Sequence, residues 1–316
     1  LVATFALIGS LAACSGPFGS DECVPVIARG PSANLVTASG SFGSSPTVDF
    51  PTPLRTDGPQ SAVIDEGAGK PIAAGQFVDF QVSVFNALDG ELITQSSYDA
   101  AQEPIRRAAG SDVDLLAESL QCASVGSRLA VTGTIENVFG SGNLPAELGI
   151  ADDDPIVLVF DVQAAYLGRA NGTPQLGASG IPAVVSAPDG RPGITVPNEE
   201  PPTELRAHTL VLGSGAALAE GDRAVLHYTG LLWSTSTIFD SSWDRGAPAT
   251  FTMASFIDDP NGVVPGLAQG LIGTTIGSQV IVVIPPELGY PEGQSPASIP
   301  AGATMVFVVD VLGVEG

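Results

Sequence analysis

Residues 225–248 read VLHYTGLLWSTSTIFDSSWDRGAP. This short stretch places Tyr228, Trp233, Phe239 and Trp243 beside Asp240, Asp244 and Arg245. The whole chain is only 6% aromatic and 14% charged, so rings and charges gathered here point to a built site. In the strand-forming run 223–228, alternation puts Ala224, Leu226 and Tyr228 on one face. His227 falls on the opposite face and reads as structural, and Trp233 and Trp243 read as packing or rim residues.

Further along, residues 279–284 (QVIVVI) and 304–312 (TMVFVVDVL) are near-continuous apolar runs, the pattern of strands buried on both sides. The one compact helix candidate is 264–271 (VPGLAQGL). Pro265 suits its first turn, Leu267 and Leu271 share a face, and Gly273 can end it. The expected class is α+β, an antiparallel sheet covering one short helix. An immunoglobulin-like adhesin is disfavoured by that Pro-started helix between buried strands.

An earlier segment repeats this one. Gly75-Gln76-Phe77-Val78 recurs as Gly221-Asp222-Arg223-Ala224, and Gln95-Ser96-Ser97-Tyr98-Asp99 as Asp240-Ser241-Ser242-Trp243-Asp244. Gly126-Ser127-Arg128 returns as Gly277-Ser278-Gln279, and Leu158-Val159-Phe160-Asp161-Val162 as Phe307-Val308-Val309-Asp310-Val311. The order and near-constant spacing indicate two tandem domains and not a stacked array. The expected division is a signal segment over 1–14, a flexible tether over 15–45, a first domain over 46–168, a linker over 169–185 and a second domain over 186–316.

The second copy resembles the FKBP-type peptidyl-prolyl isomerases over roughly 205–314. The residues that carry the resemblance are His227-Tyr228-Thr229-Gly230, Phe239-Asp240-Ser241-Ser242 with Arg245 and Pro248, and Val264-Pro265-Gly266-Leu267. Gly270-Leu271, Gly277, Pro285-Pro286-Glu287-Leu288-Gly289-Tyr290, Ile299-Pro300, Thr304 and Phe307 complete the series. The resemblance implies two FKBP-like domains, each an antiparallel sheet wrapped around a short helix. It also implies an apolar proline pocket with Tyr228, Phe239, Asp240, Tyr290 and Phe307 as its catalytic set. Arg245, Phe251, Val263, Val264, Leu267 and Ile299 would contact substrate. Asp240 is expected to be a buried carboxylate that orients the pocket through Arg245 and Tyr228.

Leu267 stands where the family often has tryptophan, Ala249 where it often has an aromatic residue, and 295–298 lacks the family's Gly-rich loop. Macrolide ligands are therefore expected to bind weakly. No cofactor is implied. Proline-containing polypeptides are the implied substrates, and a non-catalytic lipid-anchored chaperone or peptide-binding module is the rival reading. In the first copy Val82 is expected to replace Tyr228 and Gln95 to replace Asp240, with Phe139 in the Tyr290 region. That copy would keep the fold without the catalytic pocket.

The composition agrees with this reading. At 316 residues, 44% of them hydrophobic, the chain can fill two cores. Its 38 glycines and 26 prolines favour strands and turns. A net charge of -23, with Lys70 the single lysine, argues against nucleic acid and against a basic surface for anionic lipid.

Residues 1–14 (LVATFALIGSLAAC) are apolar but too short to span a bilayer. They resemble a secretory h-region, and Leu11-Ala12-Ala13-Cys14 resembles the lipobox of bacterial lipoproteins. With no methionine or basic segment ahead of it, the natural N-terminus is expected to lie upstream. The resemblance implies acylation at Cys14 and an extracytoplasmic protein held at the bacterial cell membrane. Cys23 and Cys122 then remain, as one disulfide or as two free thiols. No Cys-x-x-Cys occurs and only His208 and His227 could assist a metal, so no metal site is expected. The sequence leaves the oligomeric state open.

Overall fold

A computed structural model describes residues 23–99, 101–111, 114–141, 151–291 and 293–316. Cys14 and the lipobox lie outside the described residues. The protein is mostly strand, with three short α-helices among the described residues. None of the described helices is long and apolar enough to cross a membrane.

The N-terminal half contains β1 (Thr37–Ser39), β2 (Thr47–Asp49), β3 (Gln60–Asp65), β4 (Phe77–Asn86), β5 (Leu92–Gln95) and β6 (Ile105–Ala108). Then come α1 (Leu115–Leu120), β7 (Arg128–Thr134), α2 (Ile135–Phe139) and β8 (Pro155–Tyr166). The C-terminal half contains β9 (Thr173–Pro174), β10 (Ala183–Ser186), β11 (Pro192–Thr195), β12 (Arg206–Leu212), β13 (Arg223–Leu232) and β14 (Ile238–Ser241). It closes with β15 (Ala249–Ser255), β16 (Gly262–Val263), α3 (Pro265–Leu271), β17 (Gln279–Ile284) and β18 (Met305–Val314).

Two sheets carry the same order. In the first it is β3-β7-β8-β4, with β5 and β6 both paired to β4; in the second it is β12-β17-β18-β13, with β14 and β15 both paired to β13. β16 adds a parallel edge to β15, and β9 extends the far edge beyond β12. Every residue of β17 is buried, as its unbroken apolar sequence predicts. The inner faces of β13, β17 and β18 pack on Leu267, Ala268 and Leu271 of α3. Pro265 opens that helix, and Gly273, at φ 88°, follows its C-cap.

The outer faces are covered too, which corrects two expectations. From Cys23 onward the expected tether is packed structure. Val36 and Leu54 lie on Ala130, Val157 and Val159, and the β1–β2 hairpin adds Ala38 and Val48. The Ser61 N–H donates to the Ala28 carbonyl and the Gly30 N–H to the Ser61 carbonyl. The expected linker is likewise clasped: the Asn171 N–H donates to the Gly277 carbonyl. Ile181, Val184, Ile194 and Val196 of the β10–β11 region then cover Leu231, Trp233, Ile281, Val283, Val306 and Val308. Isolated apolar residues in Gly/Pro-rich sequence have no period to read, yet each finds a place on a sheet. Cys23 and Cys122 form a disulfide across 99 residues of chain.

Candidate functional site

The inner face of β13 presents Leu226, Tyr228 and Gly230, in that order toward its end. A Cβ on Gly230 would lie 2.7 Å from the Phe239 ring and 2.9 Å from Phe307, so only glycine lets these two rings close together here. They meet edge to face at 5.5 Å. A register shift between Gly230 and Leu231 bends the β13–β14 pairing, and Phe239 and Asp240, consecutive on β14, both reach one cavity.

That cavity has a volume of about 270 Å³. Tyr228, Phe239, Asp240, Phe251, Val263, Val264, Leu267, Tyr290 and Phe307, all named in the sequence analysis, line it. Leu226, Phe256, Gly262 and Val309 line it as well and were not foreseen. Two of these were within reach of the alternation rule, since Leu226 is two residues before Tyr228 and Val309 two after Phe307. Phe256, tilted against Tyr290 at 5.6 Å, sits in a loop with no periodicity to betray it. Ile299 is buried in the same core but is not among the lining residues.

Arg245 acts from behind the wall. Its guanidinium donates to Asp240 at 2.5 Å and to the Tyr228 hydroxyl at 2.8 Å. The Tyr228 hydroxyl donates to the other Asp240 oxygen at 2.5 Å. Asp240 is not the buried carboxylate expected: its side chain is 42% exposed and that of Arg245 is 49% exposed. β14 lies at the sheet's rim, so this pair sets geometry and adds little stability. Burial, then the bond to Asp240, pushes the Tyr228 hydroxyl up to about 12. Burial, with the Asp240 charge nearby, also raises Tyr290. Burial works against the Arg245 cation, but the bonds to Asp240 and Tyr228 outweigh it and raise its pKa. The result is an apolar, ring-walled cavity with one fixed hydroxyl–carboxylate–guanidinium cluster at its mouth. Among the described residues no group of three or more His, Cys, Asp or Glu could hold a metal ion.

The model of the FKBP-type peptidyl-prolyl cis-trans isomerase family matches residues 215–312. A probable FK506-binding protein of Corynebacterium glutamicum is 35% identical over 124 residues, which are 39% of this chain and 97% of that protein. The chain belongs to the FKBP-type peptidyl-prolyl cis-trans isomerase family. Some other FKBP relatives are matched over about half of their length. The FKBP-type 22 kDa peptidyl-prolyl cis-trans isomerase of Escherichia coli is 43% identical over 34% of this chain and 48% of its own. FK506-binding protein 2B of Rhizopus delemar is 38% identical over 37% of this chain and 56% of its own. Among solved structures, FkpA from Escherichia coli is 30% identical over 44% of this chain and 53% of that chain, with a TM-score of 0.32.

The region matched to the FKBP family lies wholly in the C-terminal half, and the N-terminal half differs at each wall position. Two hydrogen bonds fix the correspondence. The Tyr228 N–H donates to Ser242 Oγ at 2.8 Å and the Ser242 N–H to the Tyr228 carbonyl at 3.0 Å. The Val82 N–H donates to Ser96 Oγ at 2.9 Å and the Ser96 N–H to the Val82 carbonyl at 2.9 Å. Val82 therefore does stand where Tyr228 is. Ser96 matches Ser242, so Thr94, and not the expected Gln95, stands where Asp240 is. The repeated Ser-Ser pair had allowed a slip of one residue. Strand pairing further sets Arg107 against Phe251, Leu158 against Phe307, Phe80 against Leu226 and Phe160 against Val309. Phe80 and Phe160 are fully buried and meet edge to face at 5.5 Å. Phe139 lies in α2, against the N-terminal core.

Proposed function

We propose that the C-terminal half is a peptidyl-prolyl cis–trans isomerase for exported polypeptides, and that the N-terminal half is a second, non-catalytic FKBP-like unit. The observation that carries this is the ring-walled cavity with Tyr228, Asp240 and Arg245 fixed at its mouth, within the region matched by the family model. Rotation of an X–Pro amide faces a barrier of about 18–20 kcal/mol, because the C–N bond has double-bond character. At the top of that barrier the amide has lost its resonance and the oxygen is less polar. A cavity of Phe239, Phe251, Phe307 and Tyr228 takes the pyrrolidine and withdraws the amide from water, which favours the rotated form. About 1.4 kcal/mol of such preference gives tenfold in rate. Tyr290, which lines the same cavity, would donate to the substrate carbonyl. The cluster of Tyr228, Asp240 and Arg245 acts by preorganised electrostatics, without proton transfer.

Relatives of this chain are named FK506-binding proteins. We expect FK506 to bind here weakly, because Leu267 offers the macrolide less ring area than tryptophan would. Acylation at Cys14 would hold the protein at the outer face of the cell membrane. Cys14→Ser should then move it to the soluble fraction, and unchanged membrane recovery of that variant would reject the anchor.

The deciding experiment is an isomerisation assay of the full chain on X–Pro peptides. Acceleration that is lost in Phe239→Ala supports the reading. Binding of the same peptides without acceleration would instead make the cavity a peptide-holding module.

A further inference from the structure

On the outer face of β13, behind the cavity, the two halves of the chain meet. Phe77 and Tyr166 of the N-terminal half form one apolar cluster with Val225 and Leu312 of the C-terminal half. Its margin is fixed by Arg106, which bonds Asp79 at 2.6 and 2.7 Å, Glu315 at 2.8 Å and Thr250 at 3.1 Å. Glu315 also takes Arg223 at 2.8 Å. Beside this lock, the rings of Phe77 and His227 meet edge to face at 5.2 Å. The face of His227 stacks on Trp243 at 3.9 Å and 15°. His227 Nδ1 lies 2.8 Å from Ser242 Oγ, the same oxygen that accepts the Tyr228 N–H.

His227 and Ser242 are 2% and 0% exposed. They back a turn whose next residues reach the site, for the Arg245 N–H donates to the Ser242 carbonyl at 3.2 Å. Trp243 is trapped between that stack and the β10–β11 turn. There Gly190, at φ 102°, leaves room that a Cβ would deny, 2.8 Å from the Trp243 ring. In the N-terminal copy Gln81 stands at the His227 position, and among the described residues its side-chain oxygen accepts the Tyr98 N–H, at 3.4 Å.

We propose that Phe77 is a positioning residue for the isomerase site, holding His227 against Trp243 and Ser242 and so fixing Arg245 and Tyr228. The inference rests on the reading of the cavity as that site. It also gives the N-terminal half a task that does not require a pocket of its own. Truncating Phe77 leaves a void that the His227 ring can tilt into. The turn from Ser242 to Arg245 then loses its backing, and small misplacements of positioning groups are costly in rate.

The test is kcat/KM of the full-length chain on an X–Pro peptide, at a temperature where every variant is folded. Phe77→Ala and His227→Ala should each lower kcat/KM about fivefold, and the double variant should lose no more than either, as members of one relay do. Both should change the near-ultraviolet circular dichroism of Trp243. Val131→Ala, in the N-terminal core away from this seam, should lower the melting temperature and leave kcat/KM within twofold. Should Phe77→Ala fail to fold, Phe77→Leu carries the test, with a two- to threefold loss expected. Folded Phe77 variants equal to wild type, or a Val131→Ala loss as large as theirs, would overturn the relay alone. A wild-type chain without isomerase activity would overturn the site reading and the relay together.

Discussion

In the C-terminal half the base of the cavity includes Leu226 and Val309, and its walls include Tyr228, Phe239 and Phe251. In the N-terminal half the same strand positions hold Phe80 and Phe160 at the base and Val82, Ile93 and Arg107 at the walls. Large groups have moved from wall to floor. Both arrangements fill a core, and both keep the serine bond, which ties the end of β5 to β4 in one half and the end of β14 to β13 in the other. The C-terminal arrangement leaves a ring-lined space. The framework thus survives a redistribution of side-chain volume between wall and floor.

A second contrast lies one layer behind. Across the outer face the N-terminal half pairs Gln81 with Asp161, and the C-terminal half pairs His227 with Asp310. Asp161 is held by Arg128 at 2.6 and 2.7 Å, both side chains being 1% exposed. Among the described residues Asp310 takes hydrogen bonds from neutral donors, Gln279 and the Ala170 N–H, each at 2.7 Å, with the Arg169 charge nearby. Burial therefore raises Asp310 to about 6, and burial, with Arg245 nearby, lowers His227 to about 4.

The largest expected effect separates the halves by stability. Cys122→Ser releases a cross-link over 99 residues of the N-terminal half and should cost about 2–5 kcal/mol, toward the upper end for so long a loop. Below the variant's melting temperature kcat/KM should hold. A variant as stable as wild type in denaturant titration would show the disulfide to be dispensable.

Next comes acid. His227 is neutral when folded and titrates near 6.5 when unfolded, so its contribution is complete above pH 6.5 and lost as pH falls toward 4. Asp310 works in the opposite sense, since its folded pKa of about 6 exceeds the unfolded value, and it favours the fold as pH falls through the same window. His227→Gln, which copies Gln81, removes the first term only. Its stability relative to wild type should therefore rise between pH 6.5 and 4, by up to about 3 kcal/mol. Asp310→Asn should drift the other way, and parallel curves for all three proteins would refute the buried-pair account.

The site variants follow in size. Phe239→Ala should lower kcat/KM at least tenfold, about 1.4 kcal/mol or more. Asp240→Ala should lose about tenfold, and Tyr290→Phe less than that. Ile93→Ala and Thr94→Ala, the N-terminal counterparts, should change nothing in the same assay. If Phe239→Ala folds and stays near wild type, the rings are core alone.

The smallest expected effect is none at all. Tyr228 is raised to about 12 and His227 lowered to about 4, so neither changes charge near neutrality. With no proton transfer in the mechanism, kcat/KM should be flat from about pH 6 to 8. A bell-shaped profile there would bring acid–base chemistry back.

Much of this was legible in the sequence because it follows short rules. The apolar runs of β17 and β18 and the Pro265 start of α3 rest on periodicity or on one residue's backbone preference, whereas the grouping of Tyr228, Phe239 and Phe307 comes from the resemblance to the FKBP family. What escaped depends on distant parts of the chain. Phe256 reaches the cavity from an aperiodic loop. Val36 and Val184 are single apolar residues whose burial is decided by a sheet dozens of residues away. The exposure of Asp240 follows from its strand lying at a rim, and the one-residue slip at Gln95 needed the Ser96 hydrogen bonds to correct it. The Phe77–His227 contact joins two copies that the repeat pattern treats as separate.

The Cys23–Cys122 disulfide also sets a distance. A tether running freely from Cys14 to residue 45 would let the body roam on the order of 100 Å from a lipid surface. Pinned at Cys23, the leash from an acylated Cys14 has nine residue steps and reaches at most about 30 Å. With that anchor, Cys23 and the N-terminal half it is bonded to would stay close above the bilayer.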